Sequence, residues 1–373
     1  MDGLIETKDL VYFYDGTKTP SLDSINIKIT PGKKTVILGA NGAGKSTLFY
    51  HFNAIAKPHS GVVLFEGEPL KYRKKALLGL RSKVAVVLQN PDDQVFESTV
   101  EDDIAYGPTN LDLPQDEVKR RVEDALFQTG LTEFRKKNTL QLSYGQRKRL
   151  ALAGDLSMKP EVLIMDEPTA GLDPQMALDL MELAEQLHFN GVNIVLSTHD
   201  VDLAYAWADE IHVLRKGKLI YSGPSEGFYS DPVQVHMTGV MPPSMFTVNK
   251  NLAHMKEIPE APYPRTETQL ISKMVEVKKG SLHIIPLSED IVSKVTDSTD
   301  ISVGVFGTAS RGLLVENRMK VDYLFNGFES CISDCMNGRE SILVCDTDCV
   351  DLIKNKIVEL KRFGTDIEYD VRS

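Results

Sequence analysis

Gly39-Ala40-Asn41-Gly42-Ala43-Gly44-Lys45-Ser46 follows directly on the apolar stretch Thr35-Val36-Ile37-Leu38 and leads into Thr47-Leu48-Phe49. A buried strand that empties into a glycine-rich loop and then a helix start is an arrangement that cradles phosphate. Glycines let successive backbone N–H groups turn toward one anion, and the helix N-terminus adds partial positive charge. In that cradle Gly39, Asn41, Gly42, Gly44 and Thr47 surround the phosphates, Lys45 reaches the β- and γ-phosphates, and the Ser46 hydroxyl joins the shell of a Mg²⁺ ion. The expected ligand is a nucleoside triphosphate with Mg²⁺.

A second site matches the first. Val162-Leu163-Ile164-Met165 is an apolar strand candidate ending in Asp166-Glu167. Hydrolysis of a γ-phosphate needs an acceptor that holds Mg²⁺, usually through its water shell, and a carboxylate that orients the attacking water. Asp166 and Glu167 fit those roles in that order. The plainer alternative is a solvated acidic turn at a strand end.

Length and composition set the bounds. A chain of 373 residues exceeds a usual single domain, so two are expected. No apolar run approaches the roughly 18 to 20 residues that span a bilayer, and Met1-Asp2-Gly3-Leu4-Ile5-Glu6 lacks the basic start and apolar core of a secretion signal. A cytoplasmic protein is expected, free or attached to a membrane through partners. The net charge of -11 argues against nucleic acid as the main partner and against direct docking on anionic lipid.

From residue 1 to about 235, β-branched runs alternate with helical ones, the pattern of an α/β domain with a substantially parallel sheet. Strands are expected over 34–38, 84–88, 162–165 and 193–197. The stretch from about 91 to 160, with amphipathic segments at 115–128 and 146–158, reads as a helical subdomain inserted into the sheet. Pro242, Pro243, Pro259, Pro262 and Pro264 mark 239–265 as a linker. Strand candidates at 301–306 and 342–345 and a helical stretch at 350–363 then predict a smaller α/β domain over 266–373.

The run Leu142-Ser143-Tyr144-Gly145-Gln146 resembles the signature of the ATP-binding cassette family, usually written LSGGQ. Ser143 and Gly145 at a helix start can offer a hydroxyl and an open amide to phosphate; in the family that phosphate belongs to an ATP held by another subunit. Tyr144 departs from the pattern at the first glycine. Further matches follow in the family's order. Gln89 resembles the Q-loop glutamine, which senses Mg²⁺ or water; Gly171-Leu172-Asp173 resembles the D-loop that crosses between subunits; His199 resembles the switch histidine on the γ-phosphate; Tyr14 resembles the aromatic that stacks on adenine. The resemblance covers roughly residues 3–235 and implies a P-loop ATP-binding cassette over 1–238, with ATP and Mg²⁺ as cofactors. Glu167, His199 and Gln89 would carry catalysis, and Ser46, Gln89 and Asp166 would hold the metal.

Gln89-Asn90-Pro91-Asp92-Asp93-Gln94, continued by Thr99-Val100-Glu101-Asp102-Asp103 and Tyr106-Gly107-Pro108, is similar to the cobalt/nickel and energy-coupling-factor importer ATPases. That group implies a second cassette, as homodimer or heterodimer, a transmembrane coupling protein and a substrate-capturing membrane protein, with the ATPase peripheral on the cytoplasmic face. Cobalt or nickel is the expected cargo and a vitamin the alternative. A soluble cassette that clamps nucleic acid or ribosomes is the different-class alternative; it would typically carry a long coiled-coil insertion or two cassettes, and neither is present. Asp92, Asp93, Glu97, Glu101, Asp102 and Asp103 predict an acidic surface suited to an Arg-bearing partner helix.

The domain over 266–373 goes beyond the usual tail of such ATPases, and regulation is its candidate role. Cys331, Cys335, Cys345 and Cys349 all lie in it. They are either four thiolates for a soft metal or, as the favoured reading, small buried core residues. The turn with Gly304, Gly307, Ser310, Arg311 and Gly312 is read as an ordinary strand-to-helix turn, with a small-anion site as the alternative.

Overall fold

The computed structural model describes residues 3–288 and 301–372 and divides into two compact units: 1–171 with 190–243, and 172–189 with 244–373.

The first unit holds two sheets. Strands β1 (Ile5–Tyr12), β2 (Leu22–Ile29), β4 (Ser60–Phe65) and β5 (Glu68–Pro69) form an antiparallel sheet in the order β2-β1-β4-β5. The second sheet runs β10-β9-β3-β8-β7-β6, with β3 (Thr35–Leu38), β6 (Val84–Val87), β7 (Val162–Asp166), β8 (Asn193–Thr198), β9 (Glu210–Arg215) and β10 (Lys218–Gly223). All its pairings are parallel except β9 with β10. Strands covered on both faces need apolar residues at every position, which is why β3, β6 and β7 are buried throughout and show no polar alternation. Ile5, Leu10 and Ile25 from the antiparallel sheet and Ile37, Val86, Ile164 and Val195 from the parallel one share a core with Leu48, Phe49 and Phe52 of the helix Lys45–Phe52.

Helices Val100–Asn110, Gln115–Gln128 and Tyr144–Ser157 pack around Val100, Ile104, Val122, Leu126 and Leu150 as a separate core, where the sequence pattern places a helical insertion. The third helix starts two residues before the expected 146 because Ser143 and Gln146 form a reciprocal cap. Ser143 Oγ accepts from Gln146 N at 3.2 Å and Gln146 Oε1 accepts from Ser143 N at 2.9 Å.

In the second unit, β11 (Ser281–Pro286), β12 (Ser302–Phe306), β13 (Glu340–Cys345) and β14 (Glu368–Val371) form an all-parallel sheet in the order β12-β13-β11-β14. All four cysteines are buried in its core beside Leu282, Ile332 and Ile353. The helix Pro174–Phe189 belongs to this unit although it lies between β7 and β8 in sequence. Its Asp179 and Glu182 meet the buried Arg311 at 2.5 and 2.6 Å, and Arg311 Nε donates to Leu324 O at 2.8 Å.

One expectation changes here. The stretch 239–265 is more than a linker. Its prolines bracket a proline-free segment that forms the helix Ser244–Met255, with Phe246 buried and stacked on Tyr263 and Asn249 buried and donating to Glu260 O at 3.0 Å. The turn after β12 has its donors used internally, as an ordinary strand-to-helix turn would. Asp346 already accepts from Ser310 N at 2.7 Å and Ala309 N at 3.3 Å, and Arg311 is committed to Asp179 and Glu182.

Candidate functional site

The parallel sheet of the first unit sets the site. Neighbouring strands β3, β8, β7 and β6 end on one edge, and the residues that follow them include Gly39, His199, Glu167 and Gln89. Carboxyl ends of parallel strands are where α/β folds collect their chemistry.

Tyr14, Asn41, Gly42, Gly44, Lys45, Ser46, Thr47, Gln89 and Glu167 line one cavity of about 670 Å³. The cradle has the backbone that the phosphate reading requires. Gly42 and Gly44 take φ of 77° and 107°, and a Cβ on Gly44 would stand 2.8 Å from Ser21 O, so a side chain there is excluded twice over. The helix Lys45–Phe52 has no side-chain cap and no acidic residue in its first turn, which leaves its first N–H groups and its dipole for an outside anion. Tyr14 Oη is 3.0 Å from Thr47 Oγ1, which ties the half-exposed ring to the rim.

Lys45 is 6% exposed and is held from two sides, by Gly39 O at 2.6 Å and by Glu167 Oε1 at 3.0 Å. Glu167 is itself buried, with φ of 47°, a strained conformation for a residue with a Cβ. Its N–H donates to Ser197 Oγ at 3.0 Å, and its Oε2 lies 3.0 Å from His199 Nδ1. Asp166 accepts from Ser197 Oγ at 2.5 Å, so one serine of β8 steadies both members of the acidic pair. With Ser46 and Gln89 on the same cavity and Asp166 beside it, hard oxygen donors are available for Mg²⁺.

Ser143 and Gly145 do not line this cavity; they begin the helix Tyr144–Ser157. Asp173 lies in the second unit and caps the helix Pro174–Phe189, accepting from Met176 N at 2.8 Å. The cavity also includes Thr19, Pro20, Ser21, Lys216 and Gly217, which sequence reasoning missed. Lys216-Gly217 is the turn between β9 and β10, and its sequence signals a hairpin and nothing about a ligand.

The six carboxylates beside Gln89 do not form one free acidic surface. Asp92 pairs with Arg147 at 2.6 Å, and Asp103 is buried and accepts from Phe96 N and Glu97 N, both at 3.0 Å. Glu101 bonds Arg135 and Lys136, which hold its carboxyl down at about 2. The face exposes Asp92, Asp93 and Asp102 together with apolar Phe96, Tyr106 and Leu140, the first two of these rings lying 4.6 Å apart edge to face.

Comparison with known proteins decides the family. The family described as ABC transporter matches residues 22–170. The energy-coupling factor transporter ATP-binding protein EcfA of Methanocaldococcus jannaschii is 46% identical over 256 residues, covering 68% of this chain and 88% of its own. The chain belongs to the ABC-transporter ATPases of the energy-coupling-factor group. EcfA2 of Methanospirillum hungatei is 35% identical over 358 residues, 92% of this cassette chain and 90% of its own, so that likeness extends into the second unit. Among solved structures, cbiO1 from Clostridium perfringens, described as part of the ABC transporter complex cbiONQ, superposes with a TM-score of 0.58 at 38% identity, covering 69% of this chain and 100% of its own. As a member of this family the chain is an ATPase. Among its described residues no helix is long and apolar enough to cross a membrane.

Proposed function

We propose that this ATPase energises a membrane importer whose cargo is cobalt or nickel ions, with a vitamin as the alternative cargo. The observation that carries the reading is the meeting of Lys45, Glu167 and Gln89 with the glycine cradle in one cavity. The resemblance of Gln89-Asn90-Pro91-Asp92-Asp93-Gln94 and Tyr106-Gly107-Pro108 to the cobalt/nickel importer ATPases is what favours the metal cargo.

In this reading the cradle amides and Lys45 bind the β- and γ-phosphates, and Tyr14 stacks on adenine. Mg²⁺, held by Ser46, Gln89 and Asp166, supplies charge neutralisation on the phosphate oxygens when bound. Glu167 orients a water and takes its proton as the water oxygen bonds to the γ-phosphorus and the bond to the ADP oxygen breaks. His199, 3.0 Å from Glu167, keeps that carboxylate turned toward the reacting water. Lys45 can pair with either Glu167 or a γ-phosphate, so binding of ATP draws the lysine away and frees the carboxylate for the water. Ser143 and Gly145 lie off the cavity, which suits a role on the ATP of a second cassette, in a homodimer or a heterodimer, with Asp173 crossing between the two. The exposed Phe96, Tyr106 and Leu140 suit an amphipathic helix of a transmembrane coupling protein. A substrate-binding membrane protein completes the assembly, and the ATPase sits peripherally on the cytoplasmic face.

Gentle affinity purification from native membranes tests this. Recovery of a transmembrane coupling protein and a substrate-binding protein with bound Co²⁺ or Ni²⁺ is expected. Recovery of a vitamin would replace the cargo, and a soluble preparation that brings down nucleic acid or ribosomes would overturn transport while leaving the ATPase.

A further inference from the structure

Tyr144 stands where the family's signature has glycine, and the structure gives it work. Tyr144 and Lys148 are four positions apart on the helix Tyr144–Ser157, so they share one face one turn apart. The Tyr144 ring lies over Gly171, where a Cβ would approach Tyr144 Cε1 to 2.9 Å; Gly171 also has φ of 75°, so its side chain is excluded by both geometry and contact. Tyr144 Oη donates to Gln89 O at 3.4 Å. One turn on, Lys148 Nζ donates to Glu167 O at 2.9 Å and to Ala170 O at 3.1 Å.

Lys148 is 2% exposed, and its Nζ donates to main-chain carbonyls, with the carboxylates of Glu167 and Asp166 favouring its charge only from beyond hydrogen-bond reach. Burying an ammonium without an ion-pair partner is unfavourable unless its donors are well used. Here both fix the loop 167–171, at the residue whose backbone is strained and whose carboxylate faces Lys45. The same helix face therefore reaches Glu167 through Lys148 and Gln89 through Tyr144, while the helix begins at Ser143 of the signature.

We propose that Tyr144 and Lys148 form a latch that fixes the loop 167–171 to the signature helix, so that the position of the hydrolytic carboxylate follows the state of the signature. Both are positioning residues: they touch the loop and act through Glu167. The inference rests on the reading of Glu167 as the residue that orients water. When the signature engages a second cassette's ATP, the helix start moves as a unit with the loop, and Glu167 comes into register with its water. Tyr144 adds what glycine cannot, a packed ring that couples the two motions.

The test uses the full chain with K148M, K148R and Y144G, reading kcat, ATP affinity and the Hill coefficient for ATP. A carboxylate displaced by a fraction of an ångström loses on the order of 10- to 100-fold in turnover. K148M is expected to lose that much kcat with ATP affinity within about threefold of the parent. K148R, which keeps charge and donors, is expected to regain most of the turnover. Y144G restores the family's residue, so folding is not at risk, and it is expected to lower the Hill coefficient. Parental kcat in K148M, a loss of kcat matched by an equal loss of ATP affinity, or an unchanged Hill coefficient in Y144G overturns the latch. If K148M does not fold, K148R and Y144G decide alone. E167Q separates the two layers: near-parental hydrolysis there removes the reading of Glu167, whereas a dead E167Q beside a fully active K148M removes only the latch.

Discussion

Glu167→Gln tests the site in two ways at once. In the proposed mechanism Glu167 is the proton acceptor, so its amide should abolish turnover. It is also the partner of Lys45, with N–O 3.0 Å and both side chains 6% exposed. Removing one member of a buried pair typically destabilises by about 3–5 kcal/mol, because the remaining charge is stranded. A glutamine oxygen still accepts a hydrogen bond from the ammonium, which offsets about 1 kcal/mol of that. In the proposed mechanism the loss falls on the nucleotide-free protein, because with ATP bound Lys45 pairs with phosphate in parent and variant alike. At the low end of the range about 2 kcal/mol then appears as affinity, roughly 30-fold tighter ATP binding. The free variant should melt lower than the parent, and saturating ATP should close the gap. Equilibrium binding with a fluorescent ATP analogue, together with phosphate release, reads both effects. ATP affinity within threefold of the parent would refute the competition between Glu167 and phosphate for Lys45, even if turnover were lost.

Other consequences can be checked independently. Arg311→Met removes the guanidinium shared by Asp179 and Glu182 in the second unit, and a loss of about 3–5 kcal/mol should lower the denaturant midpoint of the full chain; an unchanged midpoint would show that the ion pairs are not worth their desolvation. Burial raises all four thiols, Cys335 to about 11 and Cys345 to about 12 and Cys331 and Cys349 beyond them, so a thiol reagent at pH 8 should label the folded protein slowly and the unfolded protein four times over. Fast labelling of the native chain would contradict the burial, and micromolar binding of Co²⁺ or Zn²⁺ through these sulfurs would do the same. Glu210 is pushed up by burial, but His212 and the donors of Thr30 and Thr35 more than reverse this and hold it at about 2. A depressed carboxyl stabilises above its unfolded value and ceases to as pH falls through the folded one. Glu210→Gln should therefore melt lower than the parent at pH 7, with the gap closing between pH 4.5 and 2; a gap independent of pH would mean that the charge is not what matters.

The legible part of this chain was the part written locally. The cradle is eight consecutive residues, and each acidic, glutamine or histidine candidate follows an apolar run, so parallel strands bring them to one edge without further information. What failed to show needed partners distant in sequence. Nothing near Arg311 announces that Asp179 and Glu182 will neutralise it, and so an anion site was a fair alternative until those carboxylates were in view. The prolines of 239–265 signal breaks but not what lies between them, and the helix Ser244–Met255 depends on Phe246 finding Tyr263. The acidic run after Gln89 counted charges correctly and missed that Arg147, Arg135, Lys136 and two main-chain amides consume half of them. The pocket wall formed by Thr19, Ser21 and Lys216 comes from a loop and a hairpin turn that carry no chemical motif. Lys148 carries no signal in the sequence, because a lysine in a charged helical stretch reads as solvated; only the fold shows it buried.

The discontinuous second unit has a consequence for how the protein can be taken apart. Because the helix Pro174–Phe189 is threaded between β7 and β8 yet folds with residues 244–373, the accessory region cannot be snipped off at a peptide bond and leave an intact remainder. A chain ending at 243 would carry Asp179 and Glu182 without Arg311, and Glu185 and Gln186 without Lys356 and Asp348. Truncation would thus act as a charge mutation on the segment that begins with Asp173, and a change in hydrolysis after such a cut would report on that segment as much as on any lost sensor. Charge-matched substitutions on the helix itself are the controls that would tell inheritance of a domain from damage to a neighbour.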